Sequence, residues 1–255
     1  MSNEATTIAV IGDVHAHWKH LDFVLTRVAE ARVDLVLLVG DIGSHDLSFV
    51  RKRTPEKDAR YLASVEEVLR RTRALGAPVL YVPGNHDLPT LSFEGNVDGR
   101  VETIAGLRVH GIGGAGPGRF GFAYEWEEEQ IAARVVPECD LILSHAPPAR
   151  TTLDLLEDKS RHVGSESIRA IAARHDGVLV CGHIHEASGA EQIERCLCLN
   201  VGGLGAPFGR AQVGFVRRDQ AGEWECTHAD LESGRVRRWL RTWAPGSTGQ
   251  RDPAP

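Results

Sequence analysis

The chain has 255 residues, of which 42% are hydrophobic and 25% charged, a composition that suits one globular domain. Its net charge of -6 and isoelectric point near 6.1 argue against a broad nucleic-acid surface, because non-specific binding of that kind depends on clustered lysine and arginine. The sequence has no apolar run of about 20 residues, no basic N-terminal signal region and an odd number of cysteines, so we expect no membrane span, no disulfide framework and a cytoplasmic location.

In the first half of the chain, predicted strands alternate with predicted helices. Short β-branched apolar runs predict strands at 7–12, 35–40 and 78–82, and apolar residues at helical spacing predict helices at 18–31 and 56–75. Because alternation of this kind is typical of βα units, it predicts a parallel sheet.

The second half of the chain is richer in strands, so the sheet is mixed or there are two sheets. We predict a hairpin at 100–104 and 107–112, strands at 141–144, 177–181, 193–200, 212–217 and 223–228, and helices at 125–136 and 165–175. Residues 235–243 fit either a helix or the last strand of a closing hairpin, and we favour the hairpin. We place a single domain at 1–243 and expect 244–255, rich in Pro, Gly, Ser and Thr, to be a disordered tail.

Five short clusters of metal-binding residue types each follow directly after a predicted strand. They are Asp13-Val14-His15, Gly40-Asp41, Gly84-Asn85-His86-Asp87, Ser144-His145 and Gly182-His183-Ile184-His185. Open α/β sheets place their ligand sites at the carboxyl ends of strands, so this coincidence predicts a metal site. Mixed carboxylate, amide and imidazole donors suit Mn, Fe, Zn, Co or Ni better than Ca.

The ordered motifs DxH, GD, GNHD, SH and GHxH, spread over residues 8–185, resemble the motif set of the calcineurin-like metallophosphoesterase superfamily. The longer forms SHAPP and CGHIHE are closer to its phosphodiesterase-like branches than to the protein Ser/Thr phosphatases. The resemblance implies an α/β fold, a four-layer α/β/β/α sandwich of two mixed sheets. One position departs from the pattern, because Ala16 stands where many members have glycine.

The resemblance also implies a dinuclear site and a role for each motif residue. One divalent metal would be bound by Asp13, His15, Asp41 and His185, and a second by Asp41, Asn85, His145 and His183. The metals would be Mn and/or Fe, with Zn, Ni or Co as alternatives, and a hydroxide bridging them would be the nucleophile. His86 would stabilise charge on the phosphate or protonate the departing oxygen, and Asp87 would orient that imidazole.

The expected substrate is a small phosphate ester, with a nucleotide as one candidate, and His45 and Asn200 are the candidate substrate contacts. We favour a phosphodiester, with a phosphomonoesterase acting on nucleotides or phosphoproteins and a non-catalytic metal-binding scaffold as alternatives. A nuclease is disfavoured by the acidic balance, and the sequence leaves the oligomeric state open. Residues 111–116 match the dinucleotide fingerprint GxGxxG, but Pro117 and Gly118 follow where a helix should begin, so we predict a loop at the rim of the sheet.

Overall fold

The computed structural model describes residues 5–47, 50–116, 118, 120–158, 161–241 and 249–251. The helices of this part of the chain are α1 (Trp18–Ala31), α2 (Pro55–Arg73), α3 (Glu128–Ala132) and α4 (Glu166–Ala172), and two single-turn 3-10 helices span His45–Leu47 and Val50–Lys52. The strands are β1 (Thr6–Ile11), β2 (Leu35–Leu38), β3 (Val79–Tyr81), β4 (Val101–Ile104), β5 (Leu107–Ile112), β6 (Leu141–Ser144), β7 (Val178–Cys181), β8 (Gly189–Ile193), β9 (Cys196–Asn200), β10 (Gln212–Arg218), β11 (Trp224–Asp230), β12 (Arg235–Leu240) and β13 (Gly249–Arg251). No helix among the described residues is long and apolar enough to cross a membrane.

Within the described ranges, the strands form one sheet of seven and one sheet of six. The first has the order β13-β12-β11-β10-β1-β2-β3, with β1, β2 and β3 parallel and the other pairs antiparallel. The second has the order β4-β5-β6-β7-β9-β8, with a parallel centre and an antiparallel pair at each edge. Both sheets are therefore mixed.

Alternation of side chains along the central strands separates the core into layers. In β1, Ile8 and Val10 pack against the other sheet, whereas Ala9 and Ile11 pack against α1 and α2. In β6, Leu141 and Leu143 face the first sheet and Ile142 packs with residues of α3 and α4. Because successive side chains of a strand point to opposite faces, each sheet buries both faces, and the predicted four-layer α/β/β/α sandwich is confirmed.

The long helices begin and end for local reasons that the sequence displays. The predicted apolar stripe of α1 is buried against the first sheet. At the start of α2, the Thr54 hydroxyl accepts a hydrogen bond from Lys57 N at 3.3 Å, and Pro55 occupies the first helical turn. Acidic residues in the first turn of α2 and three arginines in the last complement the helix dipole.

Two predicted elements differ in the structure. The helix expected at 125–136 is confined to α3, because Glu125 pairs with Ala115 in an extended bridge and Trp126 N donates to Ala115 O at 3.1 Å. The strand expected at 193–200 is two strands, since Glu194 adopts a left-handed conformation that ends β8 and turns the chain into β9. β8 escaped prediction because it is a short edge strand without a run of large apolar residues before Ile193.

The C-terminal part of the domain follows the hairpin prediction. β12 pairs antiparallel with β11, so residues 235–240 form a strand and not a helix. The predicted tail at 244–255 falls mainly outside the described residues, and its described part, 249–251, pairs with β12.

Candidate metal centre

The loops that carry the candidate ligands meet at one edge of the sandwich. Asp13, Asp41 and Asn85 follow β1, β2 and β3 of the seven-stranded sheet. His145 and His183 follow β6 and β7 of the six-stranded sheet. Both sheets therefore contribute donors at the carboxyl ends of their parallel strands, where α/β proteins bind ligands.

The backbone is strained where it carries these ligands. Asp13, His15, Asp41 and His183 have positive φ angles between 44° and 67°. A non-glycine residue in the left-handed region costs on the order of 1–3 kcal/mol, and such residues cluster at functional sites. Ala16, with a φ of 53°, shares this conformation, which is why glycine suits the equivalent position of the motif.

Two glycines allow the carboxylates to approach the backbone closely. A side chain at Gly84 would overlap the Asp41 carboxylate, and one at Gly182 would overlap the Asp13 carboxylate. His183 N, next to Gly182, donates to Asp13 at 3.0 Å. Each of the two carboxylates therefore depends on a glycine in a neighbouring motif for its close approach to the backbone.

Asp41 lies between the two groups of imidazoles. Its Oδ2 atom is 3.5 Å from His15 Nε2, 3.7 Å from His145 Nε2 and 3.9 Å from His86 Nε2. Two sets of donor atoms each lie within 4.8 Å of one another, namely Asp13, His15 and His185, and Asp13, Asp41 and His145. Because the sets overlap and are buried, these residues can hold neighbouring cations.

Backbone carbonyl groups fix the tautomers of two histidines. His145 Nδ1 lies 2.7 Å from Val39 O, and His185 Nδ1 lies 2.6 Å from Pro207 O. A carbonyl oxygen only accepts, so each Nδ1 carries the hydrogen and the Nε2 of a neutral ring presents a lone pair. His145 Nε2 is 2.9 Å from Asn85 Oδ1, and His185 Nε2 is 3.1 Å from an oxygen of its carboxylate neighbour.

In a neutral His145 ring the Nε2 lone pair faces Asn85 Oδ1, which also carries lone pairs, so this contact is repulsive unless a positive charge joins the two atoms. At His185 a proton on Nε2 holds the contact with Asp13, and a metal ion can take the place of that proton. Metal-ligating histidines commonly donate their second nitrogen to a carbonyl group, as both rings do in this site. The donor chemistry of the site therefore fits metal ions.

Burial and neighbouring charges set the protonation of the donors. Burial lowers the pKa of both His15 and His183 to about 3, so both imidazoles are neutral at neutral pH. Burial also acts to lower the pKa of His185, but the Asp13 carboxylate outweighs it and raises that pKa to about 9. Burial acts to raise the pKa of Asp41, but the surrounding histidines outweigh it and hold the pKa below its usual range, so this carboxylate is ionised.

His86 and His45 lie at the accessible side of the centre. The His86 side chain is 21% exposed, and its backbone N–H donates to Asp41 Oδ1 at 2.9 Å. The His45 ring stacks on His15 with centroids 4.1 Å apart, and it meets the His86 ring edge-on at 5.6 Å. His86 also packs against Phe122 with centroids 4.2 Å apart. The structure thus places both predicted substrate-facing histidines beside the candidate metal ligands.

Asp87 is buried and connects the loops on which the ligands lie. Its carboxylate accepts from the N–H groups of Ile42, Gly43 and Gly84 at 2.9–3.3 Å. It also accepts from the Tyr61 hydroxyl at 2.8 Å. These contacts hold the loops after β2 and β3 in register, whereas the expected orientation of His86 by Asp87 stays a prediction.

Asn200 has a structural role in place of the expected substrate contact. The side chain is fully buried, and its amide nitrogen donates to Leu153 O and Ile184 O at 2.9 and 3.0 Å. Its oxygen accepts from Gly202 N at 2.8 Å. Since all three hydrogen bonds go to backbone groups, Asn200 fixes the loop of His183 and His185 from beneath.

Comparison with protein families agrees with this arrangement. The model of the family described as calcineurin-like phosphoesterase matches residues 6–187. The chain belongs to the calcineurin-like phosphoesterase family. Members of this family are phosphoric ester hydrolases that use divalent metal ions, and the matched range includes every candidate metal ligand.

Solved structures share the calcineurin-like fold at low identity. One solved chain is 16% identical, with a TM-score of 0.65 and coverage of 93% of this chain and 100% of its own. A 5'-nucleotidase from Candida albicans SC5314 is 14% identical, with a TM-score of 0.50 and coverage of 89% of this chain and 51% of its own. An archaeal phosphodiesterase is 15% identical, with a TM-score of 0.47 and coverage of 92% of this chain and 99% of its own. No curated protein sequence matches the chain.

Sequence reasoning missed several supports of this calcineurin-like site. Tyr61 reads as part of the apolar stripe of α2, and nothing in the sequence reveals its bond to Asp87. The carbonyl groups of Val39 and Pro207 leave no sequence signal either. The glycine-rich loop at 111–116 was predicted only as sheet rim, but it is bonded to the residue before the GNHD motif, since Gly114 N donates to Pro83 O at 2.9 Å. Among the described residues that follow this loop, 118 and 120–124 are not helical.

Proposed function

We propose that the protein is a phosphodiesterase with a dinuclear metal centre. One metal ion is held by Asp13, His15, Asp41 and His185, and the other by Asp41, Asn85, His145 and His183. The observation that supports two ions is the position of the Asp41 carboxylate between imidazoles from both sheets, at 3.5 Å from His15 Nε2 and 3.7 Å from His145 Nε2. Mn²⁺ or Fe suits this nitrogen and oxygen donor set, with Zn, Ni and Co as alternatives.

The residues of the chain prepare the centre for hydrolysis. A bound metal pair lowers the pKa of water and neutralises charge on the phosphate. The carbonyl groups of Val39 and Pro207 hold the His145 and His185 rings with Nε2 directed inward. His86, beside Asp41 and partly exposed, donates a proton to the departing oxygen or a hydrogen bond to the phosphate.

The motif forms SHAPP and CGHIHE, which resemble the phosphodiesterase-like branches, support a diester over a monoester. Asp13 and Asp41 are both buried carboxylates whose pKa values are lowered. Their two negative charges offset only half of the charge of two divalent ions, so the loaded centre stays positive and attracts both kinds of ester. A diester also has a poor leaving group that benefits from a proton donated by His86.

The test is hydrolysis of bis-p-nitrophenyl phosphate and p-nitrophenyl phosphate by chelator-stripped protein, with Mn²⁺ added back. We expect metal-dependent hydrolysis that is faster on the diester and is lost in Asp41→Ala and His86→Ala. His175→Ala is a matched control, because this histidine precedes β7 at the opposite end of the strand from His183. Faster hydrolysis of the monoester would make the protein a phosphomonoesterase, and a folded protein inactive with every divalent metal would be a scaffold.

A further inference from the structure

A row of aromatic rings leads from the metal centre to the surface. The His45 ring stacks on His15, and both rings meet His86 edge-on. His86 packs against Phe122, and the Phe122 ring stacks with Phe120 at 5.9 Å with an angle of 29° between the planes. The Phe120 side chain ends this row and is 70% exposed. A series of neighbouring rings therefore runs from His86 through Phe122 and Phe120 to solvent.

The segment that carries these phenylalanines is held in a defined shape. The Glu125 carboxylate accepts hydrogen bonds from the three consecutive amides of 120–122, at 3.2, 2.8 and 3.1 Å. Tyr124 N donates to the backbone oxygen of the ligand Asn85 at 2.9 Å, and the Trp126 indole donates to Gly113 O at 3.0 Å. The segment is thus fixed to the metal centre itself, and the exposure of Phe120 is built into it.

We infer that Phe120 and Phe122 form an aromatic platform that binds a planar ring carried by the phosphate ester, as a nucleobase is carried by a nucleotide. This inference rests on the proposed phosphodiesterase function, since it identifies the substrate class of that site. Aromatic rings stack face to face with an offset or meet edge to face, so an exposed ring such as Phe120 offers its face to a further planar group. If the phosphate of an ester lies at the metal ligands beside His86, the ring that the ester carries lies along Phe122 and Phe120.

Two monoanionic diester analogues separate ring stacking from simple apolar contact. Methyl phenylphosphonate and methyl cyclohexylphosphonate have similar size and the same charge, and only the first has a planar aromatic ring. Their dissociation constants are measured by calorimetry on the full-length Mn²⁺-loaded protein. We expect the phenyl compound to bind about fivefold more tightly, from the usual strength of aromatic pairs beyond area burial.

Variants of Phe120 test whether the preference comes from the platform. Phe120→Leu keeps an apolar side chain without a ring, and we expect the ratio of the two constants to fall close to one. Phe120→Trp keeps the stacking face and retains the preference. Phe23→Leu is the matched control, because Phe23 is an exposed phenylalanine on α1, 49% exposed, and its loss leaves the ratio unchanged.

The outcomes separate this inference from the function on which it rests. Equal binding of both analogues by the wild-type protein, or an unchanged ratio in Phe120→Leu, overturns the platform even if diesters are hydrolysed. A ring preference that depends on Phe120 supports the platform. If the folded protein shows this preference but hydrolyses no diester, the proposed phosphodiesterase function is wrong. The platform then binds rings, but it is not part of a substrate site.

Discussion

Replacing Tyr61 with phenylalanine removes one hydroxyl group that joins α2 to the loops of the metal centre. This hydroxyl donates to Asp87 Oδ1 at 2.8 Å and accepts from Leu88 N at 3.2 Å. Burial raises the pKa of Tyr61 well above its ordinary value, so the group stays a donor at every working pH. The ring itself is fully buried and stays in place in the variant.

The expected cost follows from the charge of the acceptor. Burial and the neighbouring Asp41 raise the pKa of Asp87, but the four groups described above all donate to its oxygens, which favours the ionised carboxylate. A hydrogen bond to an ionised group contributes about 1.5–3 kcal/mol, so we expect Tyr61→Phe to lower the free energy of unfolding by about 2 kcal/mol. Tyr81→Phe is a matched control in the same core, because its buried hydroxyl donates at 3.1 Å to the neutral carbonyl of Phe93. A neutral bond of this kind contributes about 1 kcal/mol.

Urea denaturation of the metal-free variants measures the difference directly. Thermal unfolding should show a fall in Tm of about 6 °C for Tyr61→Phe and about 3 °C for Tyr81→Phe, given about 3 °C per kcal/mol in a chain of this size. Tyr61→Phe should also weaken Mn²⁺ binding, because Asp87 holds the loops after β2 and β3. Equal losses of stability in the two variants would refute the reasoning that Asp87 is an ionised clamp.

Three further predictions concern the metal centre. His86→Ala should lower kcat by about 10²–10⁴-fold while calorimetry still counts the wild-type number of Mn²⁺ ions, and a lost ion would contradict its role outside the ligand set. Because Asp13 raises the pKa of His185 to about 9, Mn²⁺ binding near pH 7.5 should release about one proton from this ring, an effect lost above pH 9. Calorimetry in buffers of different ionisation enthalpy measures that proton, and an enthalpy independent of buffer would refute the coupling. Gly84→Ala should abolish metal binding, since the added methyl overlaps Asp41. Calorimetric titration of the variant with Mn²⁺ measures this loss.

The same raised pKa of His185 predicts how the metal-free protein depends on pH. A pKa of about 9 in the folded state, against about 6.5 in the unfolded state, stabilises the fold below pH 6.5 by about 3 kcal/mol through the pair with Asp13. This contribution is lost as the pH rises from about 6.5 through about 9. The free energies of unfolding of wild type and His185→Ala, measured by urea denaturation, should differ at pH 6.5 and converge at pH 9.5. An equal difference at both pH values would contradict this prediction.

The strands and the positions of the candidate ligands could be predicted because both depend on local signals, whereas the four-layer arrangement was implied by the resemblance. Buried strands such as β6 are apolar runs in the sequence. Each cluster of donors follows the end of a strand, and the topology of the sheets brings these loops together. The hairpin of β11 and β12 could be predicted from its turn residues. The ligands of each metal, in contrast, came from resemblance, because spacing along the chain does not say which donors share an ion.

Contacts between distant segments could not be predicted. Asn200 lies at the end of a strand, as the candidate ligands do. Its amide nonetheless donates to Leu153 O and Ile184 O, because the packing of distant segments, and not the position along the strand, sets its direction. The aromatic segment at 120–126 has no periodic pattern, and its shape depends on one glutamate, Glu125. The helix expected to begin at 125 is lost because pairing with Ala115 competes with helix formation there.

The division of the candidate ligands between two sheets would couple metal supply to the folded state. Asp13 and Asp41 belong to one sheet and His145 and His183 to the other, so an ion bound between them is a cross-link through the middle of the sandwich. A ligand at a hundred times its dissociation constant stabilises the folded state by about 2.7 kcal/mol per site. Metal starvation would therefore reduce the amount of folded protein as well as its activity, and proteolytic sensitivity would report metal status before any substrate is added.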